Sequence, residues 1–312
     1  MGTFIIALKL ASPLLLLTAL GYFLKKIKML DDDTSVKLSK LVLDVILPVN
    51  IFVSIYDSDF RTAFDLKMML FIIISNVVFV IVNTFVAMFF TKDKRKLSAL
   101  LQAGVRGNYS IFALPLAISI YGNKVAAPMA IAIAFLTPMY NVYAIAVFEH
   151  YQDRRKSIIT QILNVFKTPI MIATLLAIAI NLLGIKLPEV IYNTLVYISK
   201  SVTAISLINL GSSFNFKTKR SIVKLISVAI IFKLVVVPIL SLASAIALGF
   251  NSTALVVILV TATAPIATSA FSTAVCYDTD IELTSSAVVY SYVFCAITIP
   301  VFLSIVMSLG LI

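Results

Sequence analysis

At 312 residues, 61% of them apolar and 12% charged, the chain lies far from a water-soluble domain, in which about half the residues are apolar and about a quarter charged. A mean hydropathy of +1.08, spread over the whole length, excludes a soluble fold and implies many segments that face lipid or one another in a bilayer. The net charge of +11 does not point to nucleic acid, because the basic residues sit in short loops between apolar runs, where they signal membrane topology.

The first apolar window, 3–24, is followed by Lys25, Lys26 and Lys28 without a small-residue cleavage site, so it reads as a retained helix and not a signal peptide. Lys9, near its outer end, is placed to snorkel. Crossing ~30 Å of hydrocarbon at ~1.5 Å per residue takes about 20 residues. Further windows of that kind fall at 35–56, 66–90, 97–121 and 125–149, then at 168–185, 189–213, 221–248, 253–276 and 284–310. The second and seventh are the weakest, since Lys37, Lys40 and Asp44 interrupt one and Lys200 the other. They suit the bilayer only if their polar faces look into protein.

The connections divide by charge. Odd-numbered loops carry fifteen lysines and arginines, among them Lys92, Arg95, Arg154, Lys156, Lys217 and Arg220, against Arg61, Lys67, Lys124 and Lys186 in the even-numbered ones. The odd loops are therefore expected in the cytoplasm and both termini outside. The ninth loop holds Asp278, Asp280 and Glu282 without a base and does not bear on the rule.

The longest connection, 150–167, is polar and basic and separates two sets of five segments, 1–149 and 168–312. An odd number of helices per half inserts the second half upside down, and inverted repeats of this kind place substrate sites where broken helices meet near the midplane.

Segments four and nine carry the breaks. The fourth contains Arg106-Gly107-Asn108-Tyr109 followed by Pro115, and the ninth contains Thr263-Ala264-Pro265 followed by Thr268-Ser269. Arginine, glycine and asparagine in a row suit no lipid-facing helix centre. Setting Tyr121 against Tyr277 puts Gly107-Asn108 and Thr263-Ala264-Pro265 at matching depths of the two halves. A break frees N–H and C=O groups that lipid cannot satisfy, and the start of each following half-helix favours an anion. Arg106, Gly107, Asn108, Tyr109, Thr263, Ala264, Pro265 and Ser269 are thus the candidate substrate-binding residues. Pro115 reads as a kink beyond the break.

These residues resemble the auxin efflux carrier family, which includes the plant PIN-FORMED carriers and bacterial malate permease-like proteins. The likeness runs from Gly21-Tyr22 and Leu47-Pro48-Val49-Asn50-Ile51-Phe52, through Asn108 and Ala113-Leu114-Pro115-Leu116 to Tyr121-Gly122, and on to Ala264-Pro265, Ala270, Tyr277-Asp278, Ser291 and Thr298-Ile299-Pro300. The resemblance implies an all-α membrane fold of ten helices in two inverted five-helix repeats, with helices four and nine crossing at their breaks. It also implies a scaffold of helices one, two, six and seven, a moving transport domain of helices three to five and eight to ten, an elevator-type movement and a homodimer. Where the auxin carriers have a proline before the crossover asparagine, this chain has Gly107, so auxin itself does not carry over. The plant carriers' long cytoplasmic loop is absent, which argues for a prokaryotic member in the cell membrane.

Among the remaining charges, Lys40 and Asp44 stand four apart and are expected to pair along one helix face, with an ion- or proton-linked role as the second reading. Thr261, Thr263, Thr268 and Ser269 with freed carbonyls suit sodium without a carboxylate, so sodium and proton coupling both stay open, and no other cofactor is implied. Lys200 and Lys233 have no acidic neighbour in sequence and no readable role. Tyr140, Asn141, Tyr290 and Ser291 either line the same cavity or bond helix to helix. Cys276 and Cys295 lack metal or redox spacing, His150 has no partners for catalysis, and HExxH, GxSxG and paired intramembrane aspartates are absent, so an enzyme is not expected. The expected function is secondary transport of small organic anions such as malate. A sodium-coupled bile-acid-type symporter and a membrane-embedded ligand sensor are the alternatives.

Overall fold

The structure, a computed structural model, describes residues 2–57, 65–151, 167–214, 220–277 and 279–312. Arg61, the linker bases Arg154, Arg155 and Lys156, and Lys217, Lys219 and Asp278 lie outside the described residues, as does most of 150–167. The described chain is helical, with no strand. Its helices are α1 (Gly2–Lys26), α2 (Asp32–Tyr56), α3 (Leu66–Phe90), α4 (Lys94–Val105), α5 (Leu114–Tyr121), α6 (Ala126–Tyr151), α7 (Pro169–Leu183), α8 (Glu189–Ser212), α9 (Arg220–Ala247), α10 (Ser252–Thr263), α11 (Ser269–Cys276) and α12 (Ile281–Ser308). Among the described residues, α2, α3, α6, α8, α9 and α12 contain stretches long and apolar enough to cross a membrane, while α7 and α10 are apolar but shorter. Expected segment four is thus divided into α4 and α5, and segment nine into α10 and α11.

Helix starts follow from short polar side chains that accept the N–H groups left over in a first turn. Asp31 caps α2 through Thr34 N–H (2.8 Å), Asp65 caps α3 through Met68 (3.0 Å), Asn251 caps α10 through Ala254 (2.9 Å) and Asp280 caps α12 through Leu283 (2.9 Å). The end of α7 is set by Gly184, whose φ of +66° lets Ile185 N–H return to Ile180 C=O at 3.1 Å.

Proline shapes the long helices. Wide turns at 42–46 in α2, 109–113 before α5 and 232–236 in α9 each stand two residues ahead of a proline, Pro48, Pro115 and Pro238. Proline supplies no N–H and its ring presses on the carbonyl four residues back, and a widened turn relieves both conflicts without ending the helix. Pro115 therefore sits, as expected, in a distortion beyond the break.

Packing is closest between α1 and α8. A Cβ at Gly21 would meet the backbone of Ile208 and one at Gly211 the backbone of Thr18, so the two helices touch main chain to main chain. On the outside, Ile74, Phe85 and Phe89 of α3 are exposed, as lipid-facing side chains must be in a fold that buries polar groups inward.

Candidate functional site

The α4 helix ends at Val105 and α10 ends at Thr263, and each is followed by extended backbone, with Arg106 at φ −77°, ψ 112° and Ala264 at φ −56°, ψ 135°. These stretches cross and pair antiparallel, Gly107 opposite Ile266. Asn108 N–H donates to Pro265 C=O at 2.8 Å and Ala267 N–H donates to Arg106 C=O at 3.1 Å. Each break thus satisfies groups that the other leaves open. Gly107 leaves room for the Tyr109 ring, since a Cβ there would lie 2.6 Å from its Cε1 and would have to displace it.

Side chains complete the accounts. In an unbroken helix Thr261 C=O would accept from residue 265, but that residue is a proline, and Ala262 C=O would accept from Ile266, whose N–H goes instead to Ser291 Oγ at 2.9 Å. Lys233 Nζ donates to both carbonyls, at 3.1 Å to Ala262 and 3.5 Å to Thr261. Asn108 Nδ2 donates to Tyr292 Oη at 2.6 Å. Arg106, buried, donates to Asn141 Oδ1 at 2.5 Å and to Thr273 Oγ1 at 3.3 Å. Tyr140, stacked on Tyr109 at 5.9 Å, donates its hydroxyl to Asn76 Oδ1.

Two cavities flank the crossing. One, of about 230 Å³, is lined by Lys40 and Asp44 of α2, Asn141 of α6, Thr168 at the start of α7, and Thr273 and Tyr277 at the α11 end. The other, of about 680 Å³, is lined by Asn50, Ser54 and Asp57 at the far end of α2, Ser110 and Pro115 beyond the first break, and Ser199 and Lys200 of α8. Because the paired stretches run antiparallel, α5 and α11 leave the crossing in opposite directions, so the cavities lie on its opposite sides. Asn141 ties the crossing to the smaller one. Its Oδ1 is held by Arg106, while its buried Nδ2 has no hydrogen-bond partner among the described residues.

Of the residues expected to form the site, Arg106, Gly107, Asn108, Tyr109, Thr263, Ala264 and Pro265 come together at the crossing and are buried. Ser269, half-buried, opens α11. Thr263 turns its hydroxyl back to Leu259 C=O at 2.8 Å. Lys40 and Asp44 meet at the smaller cavity, yet the expected ion pair between them is not among those of the described residues, which are Lys25–Asp32, Lys37–Asp33 and Lys96–Asp93. The reason is the wide turn at 42–46, which breaks the ordinary i, i+4 alignment. Thr273 and Tyr292 had no signal in the sequence, for a threonine and a tyrosine in apolar helices are unremarkable until their partners are placed. The readings of Asn141 and Ser291 resolve separately, the first on a cavity wall and the second into a bond from α12 to the extended stretch of the second break, where Ser291 Oγ accepts from Ile266 N–H.

The family model described as "Membrane transport protein" matches residues 6–303. The chain belongs to that family. It is the auxin-efflux-carrier-like family that the crossover residues resemble, and it makes the chain a multi-pass membrane transport protein. Among similar proteins, an "Uncharacterized transporter" of Methanothermobacter thermautotrophicus is 26% identical over 290 residues, covering 92% of this chain and 94% of the relative.

Proposed function

We propose that this transporter carries small organic anions, malate-like or other carboxylates, across the cell membrane by elevator-type alternating access. The observation that carries the reading is the antiparallel pairing of two interrupted helices with a polar cavity on each side of it. A site that must be reached alternately from the two faces of a membrane needs two approaches to one centre, and broken helices supply fixed backbone dipoles there without mobile ions.

In this reading residues 1–149 and 168–312 are inverted five-helix repeats joined by the linker 150–167. Spans one, two, six and seven are the scaffold, which becomes a homodimer, and the rest move. Both cavities lie between elements of the two groups, α2, α7 and α8 on one side and α5, α6 and α11 on the other. Both termini are outside and the protein is prokaryotic.

An anion in the smaller cavity meets the Lys40 ammonium, the hydroxyl of Thr168 and the free N–H donors of Asn141, while the Thr273 hydroxyl donates to Ser269 C=O at 2.7 Å and lines the wall as a partner of Arg106. Arg106 and Asn108 act from behind, holding Asn141, Thr273 and Tyr292. Asp44 shares the wall with Lys40, and as a carboxylate within a membrane span it is the residue assigned to ion or proton coupling.

The test is counterflow in proteoliposomes loaded with a panel of mono- and dicarboxylates. Accelerated exchange with one or more carboxylates, reduced by Asn108→Ala, supports the reading. Equal flux through both proteins rejects the assigned site, and binding in a melting assay without any counterflow makes the protein a sensor.

A further inference from the structure

Lys233 is the one buried charge of the crossing that the proposed substrate path does not use. It stands in the wide turn of α9, is 1% exposed, and has no ion pair among those of the described residues. Its ammonium is aimed at the C-terminal end of α10, where the carbonyls of Thr261 and Ala262 lie 3.5 and 3.1 Å away, and it lies 5.9 Å from the ring centre of Tyr109 on the other broken strand. The hydroxyl of Thr261 does not compete for it, donating instead to Val257 C=O at 2.8 Å.

The end of a helix carries roughly half a negative charge on carbonyls that lack partners, and in a membrane such an end attracts a cation. Here Pro265 and the diversion of Ile266 N–H to Ser291 leave two carbonyls converging on one point. The remaining space is small, about 20 Å³, and is walled by Ser75, Asn76, Tyr109 and Ser241. A hydrated ion does not fit beside the ammonium in so little room. A lysine on a polar carbonyl set at a helix terminus does what an exchangeable monovalent cation would do, but it never leaves.

We infer that the Lys233 ammonium, set against the Thr261 and Ala262 carbonyls, is a tethered replacement for an exchangeable monovalent cation, so that transport proceeds without sodium and removal of this side chain opens a site for sodium or a small primary ammonium ion. The inference rests on the transport reading for its first half only. The cation site opened by the substitution exists whatever solute the protein carries.

The experiment compares the full-length protein with Lys233→Ala and Lys233→Met. Wild-type counterflow is expected to be the same in sodium and in sodium-free choline buffer. Lys233→Ala is expected to lose about tenfold or more of its flux, the range for a buried charged contact removed, and to regain at least half of it with millimolar methylammonium or sodium. Lys233→Met, which fills the space with an apolar chain, regains none. In melting assays methylammonium or sodium raises the Tm of Lys233→Ala and leaves the wild type and Lys233→Met unmoved. A wild type that stops in sodium-free buffer overturns the inference, as does a folded Lys233→Ala protein whose Tm ignores both cations or whose flux needs neither. If Lys233→Ala does not fold, the sodium dependence of the wild type decides alone. Absence of any carboxylate flux, together with a cation-dependent Tm in Lys233→Ala, rejects the proposed substrate and leaves the cation site standing.

Discussion

Arg106 donates to the Oδ1 of Asn141 at 2.5 Å, and so decides which end of that amide faces the smaller cavity. A guanidinium has only donors, so the amide must present its oxygen inward and its two N–H groups to the cavity side. The arginine that the sequence offers as an anion ligand works one step back from the cavity wall, by aiming a neighbour.

Arg106→Lys should therefore fail to substitute. A single ammonium on a flexible stem does not span Asn141 and Thr273 as the fork of an arginine does. Loss of one buried, charge-assisted bond is worth roughly 1.5–3 kcal/mol, which is about 10- to 150-fold in apparent affinity for a transported anion. Asn141→Asp should be at least as harmful, because it turns an anionic oxygen toward the solute. Counterflow KM values for the wild type and both variants check this, and an unchanged KM in Arg106→Lys would remove Asn141 from the binding site.

Asn108 bonds through its main chain to Pro265 and Ala113 and through its side chain to Tyr292. Asn108→Ala keeps the main-chain bonds and loses the side-chain one, so the crossing should persist while flux falls by about tenfold, the equivalent of roughly 1–2 kcal/mol for a buried polar partner left unpaired. Tyr292→Phe removes the same bond from the other side and should lower flux to a similar degree. If Tyr292→Phe transports normally while Asn108→Ala does not, the amide acts on the solute and not on the tyrosine.

How far the sequence reaches is clear at the crossing. Gly107-Asn108 and Thr263-Ala264-Pro265 announce two breaks, because glycine, asparagine and proline each disfavour helix for local reasons that need no tertiary context. The observed second break runs on through Ile266 and Ala267 to a turn at Thr268, further than the local residues indicate, since the pairing of residues 265–267 with Arg106 and Asn108 holds them out of the helix. The apolar windows gave the helices to within a few residues, hydropathy being additive along the chain. Lys233 was unreadable for the opposite reason. Its partners are carbonyls orphaned by a proline about 30 residues on, and no side-chain pattern encodes a backbone acceptor. The Lys40–Asp44 spacing misled, because the helical periodicity behind it fails across a wide turn.

At acid pH the cap of α4 should weaken. The Asp93 carboxylate accepts from Arg95 N–H at 3.0 Å and Lys96 N–H at 3.3 Å. Slight burial works to raise its pKa, but those N–H bonds and Lys96 outweigh it and hold the group below its ordinary value. The unfolded chain then takes up this proton at higher pH than the folded one. The cap's contribution is complete above the ordinary carboxylate value of about 3.9 and is lost as pH falls through the lower folded value. Asp93→Ala should cost about 1 kcal/mol at neutral pH, whereas Asp93→Asn keeps an acceptor, costs less, and loses this acid dependence. Melting of the detergent-solubilised protein at pH 7 and near pH 3.5 distinguishes the three.

The α1–α8 contact offers a prediction about stability free of any assumption on substrate. Gly21 and Gly211 lie on facing surfaces, and a Cβ at Gly21 would stand 2.7 Å from the Ile208 carbonyl carbon, one at Gly211 2.8 Å from that of Thr18. Backbone cannot rotate away as a flexible side-chain tip can, so alanine at either position must separate the helices. Overpacking of this kind costs typically 1–3 kcal/mol, which outweighs the gain of roughly 1 kcal/mol in helix propensity on replacing glycine by alanine. Each single variant should therefore melt lower than the wild type. The double variant should melt higher than the sum of the two shifts implies, because the first methyl has already opened the contact into which the second is inserted. Additive shifts would mean that the two glycines sit in independent environments, and an unchanged Tm in Gly211→Ala would mean that α1 and α8 do not touch main chain to main chain.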